Sequence, residues 1–306
     1  MKYLFLFFIC FADMAYGQYS LSLRLEKGSN YFLKVNSSNH FNGEIDGKKM
    51  DLLALMSGAM KFTVLGVTNL GYELGASYDT VHLTIKGPMG QMEFSAGKGL
   101  QESDPVAGPL SPFLGRQIHI TLLKNGAVSG ISNPDTTGFS GMLAHFPMAN
   151  MLKQMITGSF KNSFNRETIK EHLEKLTAIF PDKTVALGES WGSVIKPDSG
   201  SDNSIKTSYR LVSYESGAAV IKGHSESKAI FTQKNNGEGP GFHMPGEGEL
   251  TGESESTITV NASTGWIREA SIKNELKGHI QIKNKPGAAV QVTPLAFSGE
   301  LTLSGY

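Results

Sequence analysis

Cysteine is all but missing from this chain: Cys10 is the single one among 306 residues. A lone cysteine excludes an internal disulfide framework and a multi-thiolate zinc site. Long apolar runs are scarce as well. Beyond the N-terminal run Leu4–Ala12, no stretch reaches the roughly 20 apolar residues of a membrane-spanning helix. Excess charge of either sign is also absent, with 28 basic and 28 acidic residues. That balance offers no electrostatic basis for binding nucleic acid or an anionic membrane surface. The eight histidines are scattered, and no pair has the H-x-x-x-H spacing of a helical zinc site. No βαβ alternation occurs anywhere, so a nucleotide-binding α/β layout is not expected.

The N-terminus reads as a secretory leader. Lys2 supplies a short positive region, Leu4–Ala12 the apolar one, and Ala15-Tyr16-Gly17 the small residues of a cleavage site. The mature chain is therefore expected to begin at Gln18, in the periplasm or outside the cell. Cleavage removes Cys10 and with it any thiol chemistry. Ile9 precedes Cys10 where a lipoprotein signal has a small residue, so lipidation is not expected. Without disulfides the mature chain must rely on the size of its core, and its length suffices for that.

What the chain has in abundance is period-2 alternation. Tyr19, Leu21, Leu23 and Leu25 share one parity. Tyr31–Ile45 reads as a long half-polar strand, and Asp46-Gly47 as a hairpin turn. Met50–Met60 fits either a helix or a strand. Strands follow at Phe62–Val67, Tyr72–Ile85 and Gln117–Leu123. Asn125-Gly126 is the strongest hairpin signal in the sequence, with Val128–Ile131 returning. The middle then changes period. Pro147 suits a first helical position, and Met148, Met151, Leu152, Met155 and Ile156 fall on one helical face. A second helix is expected from Asn165, with Ile169, Leu173, Leu176 and Phe180 as its apolar stripe, ended by Pro181. Strand patterns resume from Trp191 to the C-terminus, the last as two short pieces near Val290 and Leu301.

The resulting expectation is an α+β, β-rich fold. A large curved, half-barrel-like antiparallel sheet packs on two central helices. The chain divides into a leader (1–17), an N-terminal meander (18–138), a helical connector (139–180) and a C-terminal β-rich half (181–306), integrated as one domain.

The junction after the second helix carries a motif. Phe180-Pro181-Asp182-Lys183, then Val185, then Gly188-Glu189-Ser190-Trp191 resembles the F-P-x-K-x-V-x-x-G-[DE]-S-W segment of a family of secreted bacterial proteins, domain of unknown function 6263. Ser263-Thr264-Gly265-Trp266 resembles that family's D-x-x-T-G hairpin, with Asn261 standing where an acidic residue is usual. The resemblance implies no established activity. It marks Phe180, Pro181, Asp182, Lys183, Gly188, Ser190, Trp191 and Gly265 as structural positions. The family's strand–helix–strand layout is similar to that of envelope carriers of lipids and lipoproteins.

Three constellations invite chemistry. Gly188-Glu189-Ser190-Trp191-Gly192 matches G-x-S-x-G, but a helix precedes it and a strand follows, the reverse of a nucleophile elbow. Glu247, Glu249, Glu253 and Glu255 offer carboxylates, yet they read as a loop and the polar face of a strand. Met142, Met148, Met151, Leu152, Met155 and Ile156 form an adaptable apolar surface and are the candidate ligand-binding residues. No catalytic residue, metal or cofactor is assigned. The leading reading is a non-enzymatic protein binding an apolar small molecule, a lipid or a lipidated envelope partner. A closed structural or interaction module and a hydrolase stand as alternatives.

Overall fold

The computed structural model describes residues 17–45, 48–88, 90–97, 114–132, 166–195, 205–231, 238–239, 242–243, 247–282 and 290–306. In chain order the strands are β1 (Gln18–Tyr19), β2 (Asn30–Ile45), β3 (Lys48–Val67), β4 (Gly71–Gly87), β5 (Gly90–Ala96), β6 (Ile118–Leu123) and β7 (Val128–Ser132). The helix α1 (Arg166–Thr177) separates these from β8 (Val185–Ala186), β9 (Ser190–Ile195), β10 (Ile205–Glu215) and β11 (Ala218–Phe231). The chain closes with β12 (Glu238–Gly239), β13 (Phe242–His243), β14 (Glu247–Asn261), β15 (Ile267–Ile282) and β16 (Gln291–Gly305).

Two meanders make one antiparallel sheet of 12 strands, in the order β7-β6-β4-β3-β2-β16-β15-β14-β11-β10-β9, with β5 also on β4. The last strand lies beside the first long one, from Leu295 opposite Gly43 to Gly305 opposite Leu33. The chain thus leaves the first meander at one sheet edge and enters the second at the other. The connection between them must cross whatever gap remains, and α1 lies in that connection.

The helix touches both edge strands. Val128 N–H donates to Glu174 Oε1 at 3.0 Å, and Thr177 Oγ1 lies 2.6 Å from the Gly126 carbonyl. On the other side the Trp191 indole N–H donates to the Ile179 carbonyl at 3.0 Å. The sheet is therefore curled until its two edges face a shared helix. Leu173 and Leu176 of the helix pack into a core drawn from β2, β3, β4, β6, β7, β10, β11, β14, β15 and β16.

The expected α+β packing on two central helices is corrected here. Among the described residues there is one helix of 12 residues, and it seals a seam rather than filling the sheet. Met148–Ile156 lies outside the described residues, as do Asp46-Gly47 and Asn165. The physical reason for the β character is strand length. β3 runs for 20 residues and β4 for 17, and such twisted strands curl into a closed layer that supplies its own inner face. Met50–Met60, which fits either period, is strand. The two C-terminal pieces are one strand through Pro294, which sits just beyond the end of pairing with β2 and so withholds no N–H from that ladder.

The N-terminal segment closes the helix end. Leu21, Leu23 and Leu25 are buried, each burial stabilising by about 1.5–3 kcal/mol. Leu23 N–H bonds the Lys124 carbonyl and Arg24 N–H the Thr264 carbonyl, at 3.0 and 2.8 Å. Lys124 belongs to the β6–β7 hairpin and Thr264 to the β14–β15 turn, so this segment ties the two meanders together. The Tyr72 hydroxyl donates to the Leu23 carbonyl at 2.7 Å.

Two glycines test this closure. Gly126 and Gly28 have nearly equal positive φ, 88° and 87°. A Cβ at Gly126 would collide with the Thr177 carbonyl of the helix, whereas at Gly28 it meets nothing within 4 Å. Gly28→Ala should cost about 1–2 kcal/mol, the left-handed penalty alone. Gly126→Ala should cost several times that or prevent folding, as read by urea denaturation of the two variants.

Candidate functional site

The signature residues form a latch between the helix and the edge of the second meander. Phe180 and Pro181 are buried at the end of the core. Asp182 and Lys183 are exposed, and Lys183 Nζ reaches Glu189 Oε1 at 3.0 Å. Glu189 Oε2 accepts the Ala186 N–H at 2.9 Å. That backbone N–H, with Lys183 beside it, holds the Glu189 carboxyl below the usual carboxylate range. Gly188 turns with φ 81°. Its N–H donates to the Leu211 carbonyl at 2.8 Å, and its own carbonyl accepts Arg210 Nε at 3.0 Å. β8 pairs with β1, Tyr19 opposite Val185 and Gln18 opposite Ala186. Gly265 has φ 71°, and a Cβ there would strike the Ser22 carbonyl. These positions lie at the closure.

Ser190 stands exposed on edge strand β9, with Arg210 as its cross-strand partner. No described histidine bonds its hydroxyl; His40 pairs with Asp51, His82 with Ser95 and His224 with Glu255. Glu249, Glu253 and Glu255 lie on the convex face, where Glu249 pairs with Lys228. Among the described residues no group of three His, Cys, Asp or Glu could hold a metal. Met142, Met148, Met151, Leu152, Met155 and Ile156 lie outside the described residues.

The two faces of the sheet differ sharply in charge. Outside, Glu300, Lys273, Glu255 and His224 are successive cross-strand partners. A second convex row runs His40, Ser298, Glu275, Glu253, Glu226 and Lys206. Among the described residues no helix is long and apolar enough to cross a membrane, and the strands these rows cross carry charged and polar residues where a transmembrane barrel has a lipid-facing apolar band.

Apart from Lys48, which takes the inward parity at the start of β3 opposite Ile45, the inward positions of the described strands carry no acidic or basic residue. Near α1 the concave face is apolar: Leu33, Phe62, Val64, Leu74, Ile221, Ile258 and Leu303 are buried there. Trp266 sits between Tyr31, tilted against it with ring centroids 4.7 Å apart, and Phe62, which it meets edge-on at 5.2 Å. The gap between helix and sheet, lined in part by Leu173, Thr177 and Trp266, measures about 10 Å³, room for one water. A second apolar cluster lies farther along the strands: Phe41, Leu52, Leu250, Leu276, Ile280, Leu295 and Phe297.

Between the two clusters runs a row that the sequence reading missed. Asn39, Gly299, Asn274, Ser254, Ser225, Thr207 and Ser193 are successive cross-strand partners and point inward. All but the buried Thr207 are half-buried. Thr207 Oγ1 and Ser225 Oγ are 2.8 Å apart. Below them the Tyr209 phenol is pushed up to about 12 by burial. On β3 and β5 the inward residues continuing this concave wall are Ala54, Met56 and Met92. One wall is thus neutral and polar and the other apolar. The available signal was Glu253-Ser254-Glu255-Ser256, where both parities are polar. A strand with a buried apolar face would carry bulky residues at one of them.

The chain belongs to the family of unknown function DUF6263. The family pattern matches residues 69–267, which include both signature segments. Comparison with curated proteins finds no match. Among solved structures the chain is similar to lipovitellin, described in terms of its lipid–protein interactions, at 12% identity and TM-score 0.44. The similarity covers 92% of this chain and 25% of lipovitellin, so the chain spans about a quarter of that protein's length. It is also similar to the COG4313 outer membrane channel of Pseudomonas putida F1, at 9% identity and TM-score 0.25, covering 93% of this chain and 97% of the channel. With TM-scores below 0.5, neither likeness carries a functional argument.

The latch predicts a pH dependence. Folding lowers the Glu189 pKa, so its contribution is complete above the unfolded carboxylate value and disappears as pH falls through the folded one. Urea midpoints of the wild type and Glu189→Gln should differ above about pH 5, where an unfolded glutamate is ionised, and converge as pH falls through the lower folded value. Ser190→Ala should leave the midpoint within about 0.5 kcal/mol of the wild type and any ester hydrolysis by the preparation unchanged.

Proposed function

We propose that this is an exported, non-catalytic binding protein of the bacterial envelope, holding an apolar ligand, a lipid or the acyl group of a lipidated partner within its curled sheet. The observation that carries the reading is the division of the inner face. A fold that needed only a filled core would gain about 1.5–3 kcal/mol from each further buried aliphatic side chain. This face instead carries half-buried Asn39, Ser225, Ser254 and Asn274 across its middle. A concave surface of apolar clusters with a few uncharged polar groups between them has the composition of a small-molecule site. The convex charge favours an aqueous compartment, in keeping with the leader at residues 1–17.

A second reading is supported by the water-sized gap under α1. A core closed there suits a structural or protein-interaction module.

Native mass spectrometry of the chain purified from its own envelope, with lipid extraction, separates the two. The expected outcome is a stoichiometric acyl-bearing adduct. Leu276→Asn, in the second apolar cluster, should reduce its occupancy about tenfold, equivalent to about 1.4 kcal/mol. A clean apo mass, together with failure to take up an apolar fluorophore, would establish the closed module instead.

A further inference from the structure

The inner polar row specifies more than an apolar ligand. Asn39 and Asn274 flank Gly299 on the two neighbouring strands, and their side-chain amides lean over it. A Cβ on Gly299 would collide with both amide oxygens. No described residue hydrogen-bonds the Asn39, Asn274 or Ser254 side chains, so these half-buried donors and acceptors remain available. Farther along β16, Thr293 faces the same side beyond Leu295. It is 1% exposed, and its hydroxyl has no hydrogen-bond partner. A buried hydroxyl without a partner costs about 1–3 kcal/mol, and a ligand carbonyl or hydroxyl would satisfy it. Around these groups the inward positions of the neighbouring strands carry no lysine, arginine or carboxylate; Lys48, the one basic residue of inward parity among the described strands, stands at the far end of β3, six residues from Ala54, the partner of Asn39. A phosphate or ammonium brought there would be desolvated with no opposite charge to meet it, at a large cost.

We infer that the concave face selects an uncharged amphiphile, one whose hydroxyl, ester or amide groups meet Asn39, Asn274 and Ser254 while its hydrocarbon lies on the Phe41–Leu276–Phe297 cluster. The inference rests on the binding function proposed above. It adds that anionic headgroups are excluded by the inner face itself. Gly299 is then a selectivity position: its missing side chain leaves room for both amides to turn toward one polar group.

The test uses the mature chain and two fluorescent probes with identical acyl chains, a diacylglycerol and a phosphatidic acid, presented in the same neutral micelles. The neutral probe should bind about a hundredfold tighter or more, since burying an uncompensated charge costs several times the free energy of a tenfold change. Asn274→Lys should narrow or reverse that preference by strengthening phosphatidic acid binding about tenfold or more. Gly299→Ala, which displaces the amides without adding charge, should weaken the neutral probe about tenfold. Thermal melts followed by circular dichroism report whether each variant is folded. The wild-type comparison stands even if the variants are not. Equal affinity for the two probes would overturn the inference and leave the carrier function standing. Binding of neither probe would overturn both.

Discussion

Both free edges of the sheet meet one short helix, and the rest of the structure depends on that seam. An open sheet of this length would leave unpaired N–H and C=O groups on two edge strands and expose its apolar face. Here the edges are brought together, and the helix and the turn that follows it supply partners for them. Glu174 accepts from Val128, Thr177 reaches the Gly126 carbonyl and Trp191 donates to Ile179. The N-terminal segment closes the same end by bonding Lys124 on one meander and Thr264 on the other. Phe180, Lys183, Gly188 and Gly265 of the signature segments take part in this closure, which gives them a physical role.

Closure separates two environments that one strand must serve at once. Along β14, Glu253 and Glu255 face water while Ser254 and Ser256 face inward. Along β15, Lys273 and Glu275 face out while Ile272, Asn274 and Leu276 face in. Outside, charges alternate between opposite signs or stand in water, where close partners are worth little. Inside, the middle of the face carries no charge, and a transverse row of uncharged polar residues crosses it between two apolar clusters. An inner face of this kind meets uncharged polar groups and hydrocarbon together, and this partition underlies both the proposed binding function and its selectivity.

Much of the fold was legible in the sequence because strand periodicity is local. Tyr31–Ile45, Asn125-Gly126 and the stripe Ile169–Leu173–Leu176 each carry their signal within a few residues. Leu21, Leu23 and Leu25 alternate as a strand does and are buried accordingly, although only Gln18–Tyr19 pairs as one. Met50–Met60 resisted because Leu53 and Leu55 on the convex side obscure the alternation of Leu52, Ala54, Met56 and Met60 on the concave side. The last strand read as two short pieces near Val290 and Leu301 because the sequence does not show where its pairing with β2 ends. The inner row was harder still. Its members come from seven strands spread between Asn39 and Gly299, and no single strand contributes enough of them to register as a motif.

By itself the sequence determined the strand periods, the turns, the amphipathic helix near 166–177 and the family, because each depends on neighbours close along the chain. Only the tertiary structure decided that the two meanders form one sheet, that the helix lies at a seam rather than at the centre, and that a row of uncharged polar residues crosses the inner face. Those outcomes depend on register between strands as far apart as β2 and β16. A shift of one residue there would exchange the inner and outer faces of a strand, and no local pattern in the chain records that choice.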